Sequence, residues 1–329
     1  MSKEVKNNII GGYYLPGLPH ILLAPDKHKA WKKVNEAFLK VREEIQNSGA
    51  DLLLIYSTYW ASVIGHQIQA RPEPEWTHVD DQFHSLGEIS YKFKMDTEFA
   101  ENFKQECESK GLTARTIDYH GFPIDTGSVV ALKLLNPDNK IPAVIVSSNV
   151  YSDRSETLIL GKSARSTIEN TGKKAIVLCI SSLSNRLLEN TEDNAEKIYS
   201  KKDEEWNQKV LEFFKEGRLE DLSQLSRQFH KEARVKKVNS YKPMWFMSSC
   251  MGETNDYDGK IYEYQTILGT GAAVVGFTPA PNKSTQLEFD EESPEMYEGE
   301  KDVLGDIEFP ERKNLSANTD KNSGARSHK

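Results

Sequence analysis

The sequence predicts an α/β fold with a central mixed sheet flanked by helices, and three observations support this. The entirely apolar run Leu52–Tyr56, after Asp51, is typical of a strand buried on both faces. An amphipathic helix is predicted over Lys29–Asn47, and a further strand over Asn8–Leu15. Because a strand, a helix and a strand follow one another within about fifty residues, parallel pairing is expected in the sheet.

Hydrophobic periodicity justifies the remaining elements. In the first long helix the apolar residues recur at spacings of three and four, at Trp31, Val34, Phe38, Val41 and Ile45. Further buried strands are predicted at Ile141–Val146 and Ala175–Ser181, and helices at Glu98–Lys110, Ser155–Thr171, Asp203–Glu216 and Leu219–Val235. The stretch Arg71–Gly87 is rich in Pro, Trp, His and Asp and shows no period, which favours a long ordered loop.

The chain of 329 residues divides into two parts by composition. Residues 1–280 are predicted to form one α/β domain, because no linker-like segment interrupts them. Residues 281–329 are acidic and poor in apolar side chains, so they are predicted to be a disordered tail. An acidic interaction motif is the alternative interpretation of this tail.

Composition excludes several classes of function. The net charge of -8 argues against nucleic-acid binding, which needs a basic surface. The chain has no apolar run of the roughly 18 to 20 residues that a membrane span requires. The first residues lack the apolar segment of a secretory signal, so a cytoplasmic location is expected. Three scattered cysteines are too few for a disulfide framework or a zinc knuckle.

Three loops that follow predicted strands are the expected place for a functional site. They are Pro16–His20, Ser57–Trp60 and Ser181–Arg186. In an open α/β sheet, ligands bind outside the carboxyl ends of the strands. If the three strands are parallel, these loops face one cleft.

The motifs in these loops resemble those of the class III extradiol ring-cleaving dioxygenases. The first loop reads Pro16-Gly-Leu-Pro-His20 and the second Tyr56-Ser-Thr-Tyr-Trp60. Downstream, Ile141-Pro-Ala-Val-Ile-Val146 and Ile267-Leu-Gly-Thr-Gly-Ala-Ala273 fit the same family in order and spacing. The resemblance spans about residues 8 to 276 and implies the fold of this family, with the tail outside it.

The resemblance implies an Fe(II) site of two histidines and one glutamate, a set that leaves open positions on the metal. In this sequence the first histidine position falls on Gly17, the second on Tyr59 and the glutamate near Lys237. Glycine has no ligand to offer, and a neutral phenol is a poor donor to ferrous iron. An ammonium about 4 Å from a divalent ion costs on the order of 8 kcal/mol at an effective dielectric of about 20.

The acid/base positions implied by the family also differ in this chain. A histidine is expected after a Leu-Ser pair, and Asn185 stands there, which cannot transfer protons near neutral pH. A further histidine position corresponds to about Lys133. His20 and His66 are expected near the same cleft, where a relocated metal site is the alternative to a structural role.

The resemblance therefore implies a non-catalytic subunit without a cofactor of its own. Within the family, the 2-aminophenol 1,6-dioxygenase branch pairs an iron-free α chain with a homologous catalytic β chain that carries Fe(II), as a heterotetramer of two α and two β chains. This chain is expected to be such an α chain in aromatic compound catabolism. The alternatives are a stand-alone binding or regulatory protein of the same fold, and an active dioxygenase with unusual metal ligands.

Overall fold

The computed structural model describes residues 8–233, 241–252, 255–280 and 293–298. The strands in chain order are β1 (Ile9–Leu15), β2 (Leu52–Ser62), β3 (His66–Gln69), β4 (Glu75–Val79), β5 (Glu88–Lys92), β6 (Ala114–Ile117), β7 (Ala143–Asn149), β8 (Ala175–Ile180), β9 (Tyr257–Ile267) and β10 (Thr270–Pro279). The helices are α1 (His20–Leu23), α2 (Lys29–Asn47), α3 (Thr97–Ser109), α4 (Thr126–Leu135), α5 (Arg154–Thr171), α6 (Lys201–Glu216), α7 (Leu219–Ala233) and α8 (Lys242–Met251).

Eight strands form one mixed sheet in the order β6-β3-β7-β2-β8-β1-β10-β9. The centre of the sheet is parallel, because β8 pairs in parallel with both β1 and β2, and β2 pairs in parallel with β7. The chain then adds β10 and β9 antiparallel at one side. The predicted α/β class, with a central mixed sheet flanked by helices, is confirmed.

Two hydrophobic cores lie on opposite faces of this sheet. On one face, α3, α5 and α8 bury residues such as Phe103, Leu158 and Phe246. On the other face, α2 and α4 bury residues such as Trp31 and Val130. Within the described part of the chain, every helix is too short or too polar to span a bilayer.

The prediction of a loop over Arg71–Gly87 is wrong in part. The strand β4 lies within it and pairs antiparallel with β5, so the segment begins a two-stranded hairpin separate from the main sheet. Four of the five residues of β4 are exposed, so this strand has no apolar face for a sequence pattern to reveal. The hairpin matters for function because the turn after β4 reaches the carboxyl edge of the main sheet.

The predicted division at residue 280 stays a prediction, and most of the tail lies outside the described residues. Residues 293–297 are described and contact the α/β domain. The Tyr297 amide donates a hydrogen bond to the Lys110 carbonyl at 2.9 Å, and Glu295 pairs with Lys162 at 2.6 Å. The compact unit that contains the sheet therefore extends to Tyr297.

Candidate functional site

A cleft of about 560 Å³ opens at the carboxyl ends of β1 and β8. The loops after β1 and β8 line it as predicted, through Leu18, Pro19 and Asn185. Residues 58–60 line it too, but the loop predicted there is wrong, because β2 continues to Ser62 and pairs again with β7 after an irregularity. The first turn of α4 and the turn after β4 complete the walls. The lining includes four aromatic side chains, Tyr59, Trp60, Phe83 and Phe122.

The ring of Tyr59 is packed between two glycines at the wall of this cleft. A Cβ atom added at Gly17 would lie 2.6 Å from Tyr59 Cε2 and 2.6 Å from the Gly127 Cα. A Cβ added at Gly127 would lie 2.6 Å from Tyr59 Cδ2 and 2.8 Å from Ile180 Cγ2. Contacts this short are not tolerated in close-packed interiors. The space beside Gly17 is therefore already filled by the tyrosine ring, by Ile180 and by the backbone of α4.

Neither position offers a donor suited to ferrous iron. Gly17 has no side chain, and no side chain fits there. Burial raises the pKa of the Tyr59 phenol well above its usual value, and hydrogen bonds with the Ser182 side chain and the Gly17 backbone oppose this only in part. The phenol is therefore neutral near pH 7, and a neutral phenol is a weak ligand. Among the described residues, no group of three His, Cys, Asp or Glu side chains is placed to hold a metal ion.

A hydrogen-bonded network on Thr126 joins the hairpin to α4 at the cleft. The Thr126 hydroxyl donates to Asp80 Oδ2 at 2.6 Å and accepts from His78 Nε2 at 2.7 Å. The other Asp80 oxygen accepts from the backbone amides of Gln82 and Phe83, which fixes the turn after β4. Sequence reasoning missed this network, because Thr126 is more than forty residues along the chain from His78 and Asp80.

Asp125 places the start of α4 beside the cleft. Its Oδ1 caps the helix by accepting from the Ser128 amide at 3.0 Å, and it also accepts from the Ser57 hydroxyl at 2.7 Å. Its Oδ2 is buried without a hydrogen-bond partner among the described residues. Burial raises the pKa of this carboxyl, and the hydrogen bonds from Ser128 and Ser57 counteract part of the shift. Asp125 stands four residues before the apolar side chain of Val129, and an aspartate at the start of such a segment is an N-cap signal that the sequence does contain.

His20 lies behind the wall of the cleft rather than in it. The ring is fully buried and meets Trp31 and Phe83 edge-on, with centroid distances of 4.6 and 4.3 Å. Neither ring nitrogen has a hydrogen-bond partner within the described part of the chain. Burial lowers the pKa of His20 to about 4, although the nearby Asp80 opposes this shift. This imidazole is a neutral part of the core.

The structure does not bring the other predicted residues to the cleft. Lys133 lies in the last turn of α4, and its Nζ donates to the Ser90 carbonyl at 3.2 Å on the hairpin. His66 is buried at the start of β3, where Nε2 lies 3.0 Å from Glu156 Oε1. Neither lines the cleft. Lys237 lies outside the described residues.

The chain matches a family model over residues 11–276, described as the catalytic LigB subunit of aromatic ring-opening dioxygenase. It therefore belongs to this family of class III extradiol dioxygenases, in agreement with the motifs and the sheet. Its structure is similar to that of an uncharacterized protein from Escherichia coli K12, with a TM-score of 0.56 over 81% of this chain and 99% of the other. At 11% identity this likeness concerns the fold alone.

Two relatives from Pseudomonas sp are similar over most of the chain. The 2-aminophenol 1,6-dioxygenase alpha subunit is 30% identical over 273 residues, which cover 82% of this chain and 99% of the relative. The beta subunit of the same enzyme is 29% identical over 286 residues, which cover 81% of this chain and 93% of the relative. The 3,4-dihydroxyphenylacetate 2,3-dioxygenase of Escherichia coli is 19% identical over 187 residues, which cover 56% of this chain and 68% of the relative.

Proposed function

We propose that this chain is a metal-free, non-catalytic α subunit of a 2-aminophenol 1,6-dioxygenase-like ring-cleaving complex. In this proposal it pairs with a homologous β subunit that carries Fe(II), as a cytoplasmic heterotetramer of two α and two β chains. The family and the two subunit relatives support the reaction class and a subunit partner. Because 30% and 29% identity do not separate an α from a β chain, the choice depends on the site residues.

The packing around Gly17 is the observation that carries the proposal. A histidine at this position would need room for a Cβ where Tyr59, Ile180 and the Gly127 backbone already lie within 3 Å. The second expected ligand is the tyrosine that fills the space. At the third, the family resemblance implies a position near Lys237, and an ammonium about 4 Å from a divalent ion would cost on the order of 8 kcal/mol at an effective dielectric of about 20. In this proposal each of the three positions disfavours iron for a different reason.

Iron content and ring cleavage test the proposal directly. The chain is prepared alone and together with a homologous subunit bearing both histidines and the glutamate, after identical anaerobic exposure to Fe(II). We expect no bound iron and no oxygen uptake with 2-aminophenol for the chain alone, and one iron per pair of chains with activity for the complex. The homologous subunit alone is the control for iron loading.

One Fe(II) per isolated chain together with cleavage of 2-aminophenol would overturn the proposal. That outcome would instead support an active dioxygenase with unusual ligands. A chain that binds no iron and forms no complex with a homologous subunit would also contradict the α-subunit role.

A second candidate function is ligand binding by a stand-alone protein of this fold, and the open cleft favours it. A volume of about 560 Å³ with four aromatic side chains and polar groups on Thr126 and Asp80 is typical of a small-molecule site. Purification of the native chain under mild conditions separates the two candidates. A homologous partner in near-equal amount supports the α subunit, whereas a chain that purifies without a homologue supports the binding protein.

A further inference from the structure

A second concave site lies between α3, α5 and α8, and no residue of the cleft contributes to it. This notch has a volume of about 230 Å³ and is lined by Lys110, Lys162, Arg165, Ser166, Ser249 and Glu295. Three of the lining residues are cations in an otherwise acidic chain. The carboxylate among them belongs to residues 293–297, far from the rest in sequence.

Lys162 is the centre of the notch. Its side chain is only 9% exposed, and Nζ lies 2.6 Å from Glu295 Oε1, whose own side chain is 77% exposed. Removing an ammonium from water is costly unless an anion compensates its charge. Lys110 and Arg165 each have an acidic neighbour on their own helix, Glu106 at 3.4 Å and Glu169 at 2.9 Å. The carboxylate of Glu295 instead comes from outside the helices.

Two further contacts hold the same segment beside the notch. The Tyr297 amide donates to the Lys110 carbonyl at 2.9 Å, and the Tyr297 side chain packs against the core on this face of the sheet. Gly111 has a φ of +87°, and a Cβ there would lie 2.6 Å from the Tyr297 carbonyl oxygen. The close approach of the two backbones therefore requires glycine at residue 111.

We propose that this notch is a peptide-docking site that recognises a glutamate followed two residues later by an aromatic residue. Residues 293–297 are its occupant within the same chain. A free inorganic anion would satisfy only the ammonium of Lys162. The segment satisfies the ammonium, the Lys110 carbonyl and the apolar surface together, and this combination distinguishes a peptide from a simple anion.

Hydrogen exchange at the Tyr297 amide tests the docking in the full chain. We expect exchange at least tenfold slower than in a free peptide of the same sequence. Glu295→Gln and Lys162→Met should each abolish most of this protection, because either change removes the ion pair. Glu298→Gln, which alters an exposed acid one residue beyond the segment, is the matched control and should leave the protection unchanged. A Tyr297 amide that exchanges at the free-peptide rate in the unaltered chain would overturn the proposal.

Peptide binding in trans tests the specificity of the notch. The full chain carrying Glu295→Gln and Tyr297→Ala is titrated with a fluorescent peptide of residues 291–299. We expect saturable binding that is lost when Lys162→Met is added. It should be retained with Lys173→Met, which removes a lysine paired with Asp96 elsewhere. Equal binding of a peptide with the same two substitutions, or full displacement by equimolar inorganic phosphate, would contradict peptide recognition.

Discussion

Tyr59, packed between Gly17 and Gly127, links the sequence of the cleft to its chemistry. The family resemblance implies a metal-binding histidine at position 17 and another at position 59. In the structure the residues at these two positions depend on each other, because the ring of Tyr59 fills the space beside Gly17. The packing thus requires glycine at residue 17, and a histidine could not be introduced at that residue alone.

Gly17→Ala is expected to destabilise the fold by about 1–3 kcal/mol, because its Cβ overlaps the Tyr59 ring and the Gly127 backbone. Urea denaturation measures the change in the free energy of unfolding. The matched control is Gly11→Ala on β1, where a Cβ would be 3.6 Å from its nearest neighbour, the Phe277 carbonyl oxygen. Equal losses in both variants would contradict the packing argument.

His20 gives the fold a pH dependence of defined sign. Its pKa of about 4 in the folded chain is below the unfolded value of about 6.5, so the unfolded chain binds the proton more readily. The contribution of neutral His20 to the free energy of unfolding is complete above pH 6.5 and is lost as the pH falls toward 4. Between pH 7 and pH 5 this costs about 2 kcal/mol.

The variant His20→Leu should lose less of its free energy of unfolding between pH 7 and pH 5 than the unaltered chain, by about 2 kcal/mol. Denaturant titrations at the two pH values provide the measurement. His120→Leu, at an exposed position, serves as the control and should retain the full pH dependence. If the free energy of unfolding of His20→Leu fell between pH 7 and pH 5 by as much as that of the unaltered chain, other groups would dominate the pH dependence.

At the scale of elements, hydrophobic periodicity in the sequence predicted the long amphipathic helices. The helix expected at Lys29–Asn47 begins and ends at those residues, and the one expected at Ser155–Thr171 begins one residue earlier. The hairpin was missed because β4 is exposed on nearly all its residues. The apolar run Val129–Leu135, which forms most of α4, could not be assigned to a strand or a helix from the sequence, since periodicity does not separate a buried strand from a short buried helix.

The same limits explain which site residues were found. The ends of β1 and β8 fix where the loops with Gly17 and Asn185 converge, and the structure places both loops near Tyr59 of β2 at one edge of the sheet. Lys133 does not reach this edge, because it lies in the last turn of α4, about 12 Å along the helix axis from Asp125. The network on Thr126 requires knowledge of the hairpin, which the sequence did not supply.

Thr126→Val is expected to loosen the hairpin of β4 and β5. The substitution keeps the shape of the side chain but leaves His78 Nε2 and Asp80 Oδ2 without their shared partner, at a cost of about 1–3 kcal/mol. Amide hydrogen exchange across β4 and β5 should become several-fold faster. Thr77→Val, which removes an exposed hydroxyl contact to Ser90, is the control and should have little effect. Unchanged exchange in Thr126→Val would mean that the strand pairing alone holds the hairpin.

At the scale of the whole molecule, the sheet separates two sites of opposite character. The cleft lies at the carboxyl ends of β1 and β8 and contains carboxylates and aromatic rings. The notch lies between α3, α5 and α8, on one face of the sheet, and contains lysine and arginine side chains. Docking of residues 293–297 at the notch leaves the cleft open. None of the residues 293–297 lines the cleft.

The notch also sets where the stable part of the chain ends. A chain that stops after Glu298 keeps the Glu295–Lys162 ion pair and the Tyr297 contacts, so its free energy of unfolding should equal that of the full chain. A chain that stops after Ala280 leaves Lys162 without this carboxylate and uncovers apolar surface, which should cost about 1–3 kcal/mol. Urea denaturation of the three chains, at one protein concentration, measures the difference. If the chain ending at Ala280 were as stable as the full chain, residues 293–297 would add nothing to the fold, and the composition-based boundary at residue 280 would describe the stable unit better.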